Sequence, residues 1–357
     1  MQNDANYVEL RNVNKYYGSF AASSDVNLSI KKGKLIALLG PSGSGKTTIL
    51  RMIAGLERQT SGDILIDGKI VNNTPGSERG VGFVFQSYAL FRYMTVYDNI
   101  AFGLRVKKRP KAEIDQKVFE LLKLINCEGL EKRYPSQLSG GQRQRVAFAR
   151  SLAPSPSLLL LDEPFAAVDA KVRLELRSWL REMITRLGIT SIFVTHDQDE
   201  AIEVADEIIV TNKGRIEQVG TPKQLYLSPQ TPFVAKFIGN SIIAKDYSKF
   251  QFFESQGEDS YAIIRPEYVA VYKKDETKRF EKSAEDAVVE DIVFRGNNIE
   301  IKARLRDVVV SATRSINDEP IEIGEHVDLF IYRLLVVVGD RVVELKNQSL
   351  REESLVL

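Results

Sequence analysis

A glycine-rich loop near the start of the chain limits its possible folds more than any other feature. Residues 40–47 read Gly-Pro-Ser-Gly-Ser-Gly-Lys-Thr. The apolar run Leu35–Leu39 comes just before them, and Lys46–Gly55 has the pattern of a helix that ends at glycine. Glycines let backbone N–H groups point at phosphate oxygens, and a helix N-terminus attracts the same anion. The spacing predicts the strand, phosphate-binding loop and helix of an α/β sheet, rather than an ordinary glycine turn.

The loop residues have distinct predicted roles in binding ATP and Mg²⁺. Lys46 is predicted to contact the β and γ phosphates, and the Thr47 hydroxyl to ligate Mg²⁺, which prefers oxygen ligands. The predicted ATP-binding residues are the whole loop and the residue after it: Gly40, Pro41, Ser42, Gly43, Ser44, Gly45, Lys46, Thr47 and Thr48.

A second motif is the apolar run Leu158–Leu161, followed by Asp162 and Glu163. Such a run predicts a buried strand, and ligands of open α/β sheets bind at the carboxyl ends of their strands. Asp162 is predicted to hold Mg²⁺ through water, and Glu163 to polarise the water that attacks the phosphate. An apolar run before an acidic residue is common and is weak evidence for a nucleotide site by itself. It becomes informative here because it follows the glycine-rich loop in the same predicted sheet.

A third motif, Leu138-Ser139-Gly140-Gly141-Gln142, stands just before a predicted helix and between the other two. In this order the three motifs resemble those of ABC ATPases, and the resemblance covers residues 7–240. It implies an α/β fold, a P-loop ABC ATPase domain with a central, mainly parallel sheet. It also implies that two copies bind ATP between them, so that Ser139, Gly140, Gly141 and Gln142 of one copy face the loop of the other.

The same resemblance assigns single residues around the phosphates. Gln86 matches the glutamine that contacts Mg²⁺, the attacking water and the transmembrane partner. His196 matches the switch histidine at the γ phosphate and forms, with Glu163, the predicted catalytic pair. Tyr17 matches the aromatic residue that stacks on adenine. The neighbouring Tyr16 leaves open that Tyr17 is an ordinary, half-buried strand aromatic.

Asp169 matches the conserved aspartate of the D-loop, a segment that contacts the second copy. The family usually has serine or glycine three residues earlier, where this chain has Ala166 in the run Ala-Ala-Val-Asp. Because Ala166 replaces a small polar residue or glycine, the detailed contacts of the D-loop with the second copy could differ from those of the family. The predicted activity is unchanged.

The length of 357 residues predicts two domains, because single cores seldom grow beyond about 250–300 residues. We place them at 1–238 and 239–357. In the second, short apolar segments such as Ile299–Leu305 and Val308–Ala312 replace the helical pattern and predict a small all-β barrel of the OB or TOBE type. This domain resembles the C-terminal regulatory domain of importers for sugars, polyamines, iron and oxyanions.

The charge and hydropathy of the chain exclude some roles and favour others. A net charge of +1 argues against a nucleic-acid partner, and Cys127 is the single cysteine, so no disulfide can form within one chain. No apolar stretch approaches the ~20 residues of a membrane-spanning helix. Any role at a membrane must therefore come through a partner, and the family resemblance implies a peripheral protein at the cytoplasmic face of the cell membrane. Its expected partners are a second copy, two permease subunits and, indirectly, an extracytoplasmic solute-binding protein.

Within the family, three segments look most like the sulfate/thiosulfate importers: Phe91–Thr95, Lys171–Leu180 and Gly214–Gln218. An importer of molybdate, sugar, polyamine or iron remains an alternative, as does a regulatory ABC ATPase without a transport partner. The segment Ser87–Ile100 is expected to receive a helix of the membrane subunit. Its aromatic residues are expected to be partly exposed there, unless they are ordinary core residues: Tyr88, Phe91 and Tyr93.

Overall fold

A computed structural model of the protein describes residues 6–166, 168–274, 276 and 283–350. The chain forms two compact units, Met1–Pro222 and Lys223–Leu357. The domain limits proposed from the sequence assign residues 223–238 to the first domain, whereas the contacts between residues group them with the second unit. Among the described residues, no helix is both long enough and apolar enough to cross a membrane.

The first unit contains two sheets. Its strands, in chain order, are β1 Asn6–Tyr17, β2 Phe20–Lys31, β3 Leu35–Leu39, β4 Ser61–Ile66, β5 Lys69–Ile70, β6 Val81–Val84, β7 Leu158–Asp162, β8 Thr190–Thr195, β9 Glu207–Asn212 and β10 Arg215–Gly220. One sheet has the order β2-β1-β4-β5 and is antiparallel. The other has the order β10-β9-β3-β8-β7-β6, and only β10 is antiparallel to its neighbour. The predicted α/β fold with a mainly parallel sheet is confirmed.

The described residues of the first unit form six α-helices: α1 Lys46–Ala54, α2 Val96–Val106, α3 Lys111–Leu124, α4 Gly140–Leu152, α5 Ala170–Leu187 and α6 Gln198–Val204. Side chains cap four of them, since Thr95 accepts a hydrogen bond at the start of α2, Ser139 at α4, Asp169 at α5 and Asp197 at α6. Such caps satisfy backbone N–H groups that have no partner inside the helix. Two predicted functional residues, Ser139 and Asp169, are thus fixed by their place at helix starts.

The core of this unit lies along the parallel sheet. Every residue of β3, β7 and β8 is buried, because helices or the second sheet cover both faces and strands of this kind are continuously apolar. Ile49 and Ile53 of α1 belong to the same apolar cluster as Leu38 of β3 and Leu160 of β7. Cys127 is also buried, as an inert apolar residue would be. This packing makes the strand ends rigid supports for the loops that follow them.

The second unit is built mainly of β-strands. Two short helices, α7 Pro222–Leu227 and α8 Pro232–Phe237, precede β11 Ile242–Ala244, β12 Tyr261–Ile264, β13 Val269–Lys273, β14 Glu285–Phe294, β15 Asn298–Leu305, β16 Val308–Ser315, β17 His326–Ile331, β18 Arg333–Val338 and β19 Arg341–Lys346. The sheets have the orders β11-β12-β18-β19 and β13-β17-β14-β15-β16. The predicted all-β, barrel-like domain is confirmed. The sequence indicates one β segment over Val327–Val338, but Tyr332 separates two strands that belong to different sheets.

Candidate nucleotide-binding and catalytic site

The glycine-rich loop is closed around the side chain of Lys46. The Lys46 ammonium donates hydrogen bonds to the carbonyl oxygens of Gly40 and Pro41, both at 2.8 Å, and to Ser44 Oγ at 3.3 Å. Burial lowers the pKa of Lys46, while the nearby carboxylates of Glu163 and Asp162 act to raise it. The loop therefore holds a cation in a fixed position that faces two acids.

The loop is also attached to the strands beside it. Ser44 Oγ lies 2.9 Å from the Thr211 hydroxyl, and the Gly214 N–H donates to the Ser44 carbonyl at 3.2 Å. At Gly45 the backbone φ is +94°, and a Cβ there would lie 2.3 Å from the Ala22 carbonyl oxygen. Only glycine can adopt this conformation so close to another backbone oxygen, so the backbone geometry requires glycine at position 45.

Thr47 and Asp162 join the first motif to the second. The Thr47 hydroxyl donates to Asp162 Oδ1 at 3.0 Å, and the guanidinium of Arg51 lies 3.6 Å from Asp162 Oδ2. Burial raises the pKa of Asp162, and the hydrogen bond from Thr47 and the charge of Arg51 oppose this shift. A hydroxyl and a carboxylate side by side form an oxygen-rich donor set, so these residues fit Mg²⁺. Arg51 was not predicted from the sequence, because no motif marks it.

Glu163 lies at the meeting point of three strand ends. Gln86 follows β6, Glu163 follows β7 and His196 follows β8. Gln86 Nε2 donates to Glu163 Oε2 at 2.9 Å, and His196 Nδ1 lies 3.4 Å from Glu163 Oε1. Glu163 has a left-handed backbone with φ of +46°, which is uncommon outside glycine and tends to occur at functional sites. Each carboxylate oxygen therefore has one side-chain nitrogen within 3.4 Å.

The loop, Glu163 and His196 open onto one cavity of about 240 Å³, and Gln86 and Asp162 are not among its lining residues. Its lining residues come from the loop and from both sheets: Tyr17, Phe20, Ala22, Ser42, Gly43, Ser44, Gly45, Lys46, Thr47, Thr48, Glu163 and His196. Tyr17 ends β1 and is 48% exposed, and the Lys15 ammonium lies 4.7 Å from the centre of its ring. An exposed ring in the cavity favours contact with a ligand over a purely structural role. Phe20, which pairs with Tyr17 across the β1–β2 turn, was not predicted because no motif marks it.

The third motif lies elsewhere in the chain. Ser139 Oγ accepts from the Gln142 N–H at 3.2 Å, and Gln142 Oε1 accepts from the Ser139 N–H at 2.9 Å, which closes a capping box at the start of α4. Asp169 accepts from the Val172 N–H at 3.1 Å. Neither Ser139–Gln142 nor Asp169 lines the cavity. Ala167, within the D-loop run, lies outside the described residues.

The segment after Gln86 differs in part from expectation. Tyr93 is 96% exposed and Phe91 is 37% exposed, as an apolar docking site requires. Tyr88 is only 5% exposed, so the prediction that its ring forms part of an exposed face is wrong. Its ring lies in the protein interior, where burial raises the pKa of its hydroxyl group.

The fold and the site define a P-loop nucleotide-binding protein, and comparison with known proteins narrows this class. The family model described as ABC transporter matches residues 23–166. A sulfate/thiosulfate import ATP-binding protein, CysA, of Thermosynechococcus vestitus is 51% identical over 300 residues, covering 84% of this chain and 88% of the relative. A second such protein, from Shewanella oneidensis, is 60% identical over 237 residues, covering 65% of this chain and 67% of the relative.

Two solved structures resemble about three fifths of this chain. One is a dimeric ATP-binding cassette in a post-hydrolysis state with ADP and Pi, with a TM-score of 0.54 and 35% identity over 60% of this chain and 98% of that chain. The other is cbiO1 from Clostridium perfringens, with a TM-score of 0.59 and 34% identity over 63% of this chain and 92% of that chain. The chain belongs to the ATP-binding subunits of ABC transporters, which confirms the resemblance drawn from the three motifs.

Proposed function

We propose that this chain is the ATP-hydrolysing subunit of an importer for sulfate and thiosulfate. One observation carries the enzymatic part: Gln86 and His196 hold the two oxygens of Glu163 at the mouth of the phosphate-binding loop. The substrates follow from the names of relatives that are 48–60% identical to this chain. The ATPase does not itself need to touch the transported anion.

ATP is proposed to bind with its phosphates in the loop and its base near Tyr17. The backbone N–H groups at the start of α1 and the Lys46 ammonium supply positive charge to the phosphate oxygens. The exposed rings of Tyr17 and Phe20 line the same cavity and offer apolar faces to a base. The short reach from Lys46 to the loop carbonyls keeps the ammonium where the phosphates enter.

Glu163 is proposed to orient the attacking water. Gln86 and His196 restrict its carboxylate to one direction, which lowers the cost of reaching the reactive arrangement. Thr47 and Asp162 are proposed to hold Mg²⁺, with Gln86 beside them. When bound, this ion would offset the negative charge that develops on the transferred phosphate group. His196 is 62% exposed in its side chain, so it can also contact the γ phosphate.

Two copies are proposed to bind ATP between them. The residues Ser139–Gln142 lie at a helix N-terminus, which attracts anions, but they are not part of the cavity in their own chain. A second copy, arranged head to tail, would bring Ser139 and Gly141 to the γ phosphate and Asp169 to the interface. ATP would favour the closed dimer because it contacts both copies only in that state. A related cassette of known structure is dimeric.

The membrane partners are proposed to be two permease subunits, served outside the membrane by a solute-binding protein. The exposed rings of Phe91 and Tyr93 are the proposed contact for the permeases. Binding there would hold the chain at the cytoplasmic face of the membrane as a peripheral subunit. The net charge of +1 gives no reason to add a nucleic-acid partner.

Uptake of labelled sulfate tests this proposal. Cells that lack their native ATPase would receive either the wild-type chain or Glu163→Gln. We expect uptake only with the wild type, and competition by unlabelled thiosulfate. If neither chain restores uptake while the purified wild-type chain hydrolyses ATP, the sulfate and thiosulfate assignment is wrong and the ATPase assignment stands. If the purified chain does not hydrolyse ATP, the enzymatic proposal fails as well.

A further inference from the structure

Two adjacent residues after Gln86 have a backbone conformation that side chains disfavour. Tyr88 and Ala89 have φ values of +62° and +46°, in the left-handed region where Cβ crowds the next carbonyl oxygen. Isolated residues visit this region, but two in succession without glycine persist only when their surroundings hold them. The Tyr88–Ala89 turn therefore needs an external support.

Arg150 supplies that support from helix α4. Its Nη2 donates to the Tyr88 carbonyl at 2.8 Å, and its Nη1 donates to the Ala89 carbonyl at 2.7 Å. The same guanidinium lies 5.3 Å from the centre of the Phe91 ring. A planar group with two parallel donors fixes both the position and the direction of the two carbonyls, which a single bond cannot do.

The other end of the segment is held by helix α2. Asn99 is fully buried, accepts a hydrogen bond from the Phe91 N–H at 2.8 Å, and donates to the carbonyls of Phe91 at 3.1 Å and Thr95 at 3.0 Å. The residues between these two supports include the exposed ring of Tyr93. We call residues 87–95 the docking segment.

Helix α4 connects this support to the third motif. It runs from Gly140, next to Ser139, to Leu152. Arg150 lies ten residues after Gly140, so at ~1.5 Å per residue the two are about 15 Å apart along one helix. An unbroken helix of this length moves as a rigid body, and a shift at its start is passed on to Arg150.

We propose that Arg150 is a positioning residue that ties the docking segment to the helix carrying Ser139. When ATP draws Ser139 toward a second copy, α4 moves and Arg150 carries the Tyr88–Ala89 turn with it. The inference rests on the proposed function, because it takes the ATP-dependent closure of two copies as the source of movement. The inference adds to that function one residue, Arg150, through which closure of the two copies would move the docking segment.

A plain structural role for Arg150 makes a different prediction. If the guanidinium only offsets the strain of the turn, removing the strain should make it dispensable. Ala89→Gly relieves part of that strain, since glycine adopts positive φ at little cost. If Arg150 instead transmits movement, glycine at position 89 should restore the order of the segment without restoring its response to ATP.

Hydrogen exchange of the full-length chain separates these roles. The background is Glu163→Gln, which is expected to bind ATP without consuming it, and the probe is ATP with Mg²⁺. Exchange is followed in two peptides, one covering Ser139–Gln142 and one covering the docking segment. We expect ATP to slow exchange in both. With Arg150→Met added, the first response should remain and the second should fall to less than about a third.

Two further variants complete the test. Arg150→Lys can donate to one of the two carbonyls, so we expect ATP to slow exchange in the docking segment by an intermediate amount. This variant replaces Arg150→Met in the test if Arg150→Met does not fold. Arg150→Met with Ala89→Gly should regain slow basal exchange but no response to ATP in the docking segment. An undiminished response in Arg150→Met, or its full recovery with Ala89→Gly, overturns the inference. If ATP slows neither peptide in the background chain, the proposed dimer mechanism fails and takes the inference with it.

Discussion

The Thr47 hydroxyl donates a hydrogen bond to the Asp162 carboxylate at 3.0 Å, although 115 positions separate the two residues in the chain. This bond joins the loop that begins helix α1 to the end of strand β7. It also gives a buried carboxylate one polar partner. Burial raises the pKa of Asp162 and has a larger effect than this hydrogen bond, which acts to lower it. The site thus keeps a charge where an apolar or neutral residue would suit the fold better, as functional sites commonly do.

Asp162→Asn is expected to stabilise the chain at neutral pH while nearly abolishing hydrolysis. Because the pKa of Asp162 is raised on folding, the folded chain binds more protons than the unfolded chain between the unfolded value, about 3.9, and the raised folded value. Stability contributed by Asp162 is therefore lost as pH rises through that window. Asp162→Asn has no carboxylate to ionise, so its free energy of unfolding does not fall in this pH range. Its gain in stability over the wild type should therefore be largest above the pH window and vanish below it.

Thermal unfolding between pH 3.5 and 8 measures this effect. A net gain of about 1 kcal/mol corresponds to roughly 2–4 °C in Tm for a domain of 150–250 residues. Asp291→Asn serves as the control, because Lys302 at 2.8 Å lowers the pKa of that exposed acid. Its pH dependence should have the opposite sign and be small. A Tm for Asp162→Asn that is lower than wild type at pH 8 would contradict the prediction.

Glu163→Gln is expected to reduce kcat for ATP hydrolysis by about 100-fold or more, because a neutral amide cannot polarise the attacking water as the carboxylate does. ATP binding should remain, since Lys46 and the loop are unchanged, and ATP should hold two copies together. Steady-state kinetics and light scattering with and without ATP measure the two effects. Glu128→Gln, at an exposed position, is the matched control and should behave as wild type. Normal turnover by Glu163→Gln would remove Glu163 from its role.

Two glycines of the loop are expected to differ in their tolerance of alanine. At Gly45 a Cβ would lie 2.3 Å from the Ala22 carbonyl oxygen, whereas at Gly43, with φ of +78°, nothing lies within 4 Å. Gly43→Ala should cost only the backbone strain, about 1–2 kcal/mol. Gly45→Ala adds the displacement of a strand and should cost about 3 kcal/mol or more. Urea unfolding measures both, and equal losses would show that the contact with Ala22 is unimportant.

Arg177→Met is expected to destabilise the first unit by about 3–5 kcal/mol, because it leaves carboxylates without their buried cation. The Arg177 guanidinium is buried and lies 3.4 Å from Asp197 and 3.5 Å from Glu200. Asp197 follows His196, so kcat should fall as well. The control is Arg11→Met, which breaks an exposed pair at 2.8 Å and should change stability by less than about 1 kcal/mol. A similar small effect for both variants would contradict the prediction.

Helices with strong local signals, such as α1 and α4, were predicted from the sequence, whereas α2, α6 and the short α7 and α8 were not. Helix α2, Val96–Val106, contains Gly103, and glycine inside a helix costs about 1 kcal/mol of intrinsic propensity. The helix forms nonetheless because Ile100 and Leu104 are buried against the rest of the unit. Helix α6 has only seven residues, too few for a clear periodic pattern.

Contacts between distant residues were the main source of error. Tyr88 reads as one of three aromatic residues in a docking segment, but a turn held by Arg150 buries it while Phe91 and Tyr93 stay exposed. Phe20 was not predicted, because no motif marks it, and its pairing with Tyr17 accompanies its place in the cavity lining. The sequence shows neither arrangement, because both depend on which elements become neighbours.

The sequence by itself determined the chemistry of this protein: a glycine-rich loop with Lys46 and Thr47, an acidic pair after a buried strand, and a capped helix start at Ser139. Local spacing is enough for these, because each motif works through its own backbone and nearest neighbours. The tertiary structure alone decided how they meet. Strand β8, late in the chain, inserts between β3 and β7, so His196 at the end of β8 lies beside Glu163 at the end of β7. Parallel strands pair through long connections, and local patterns do not encode their order.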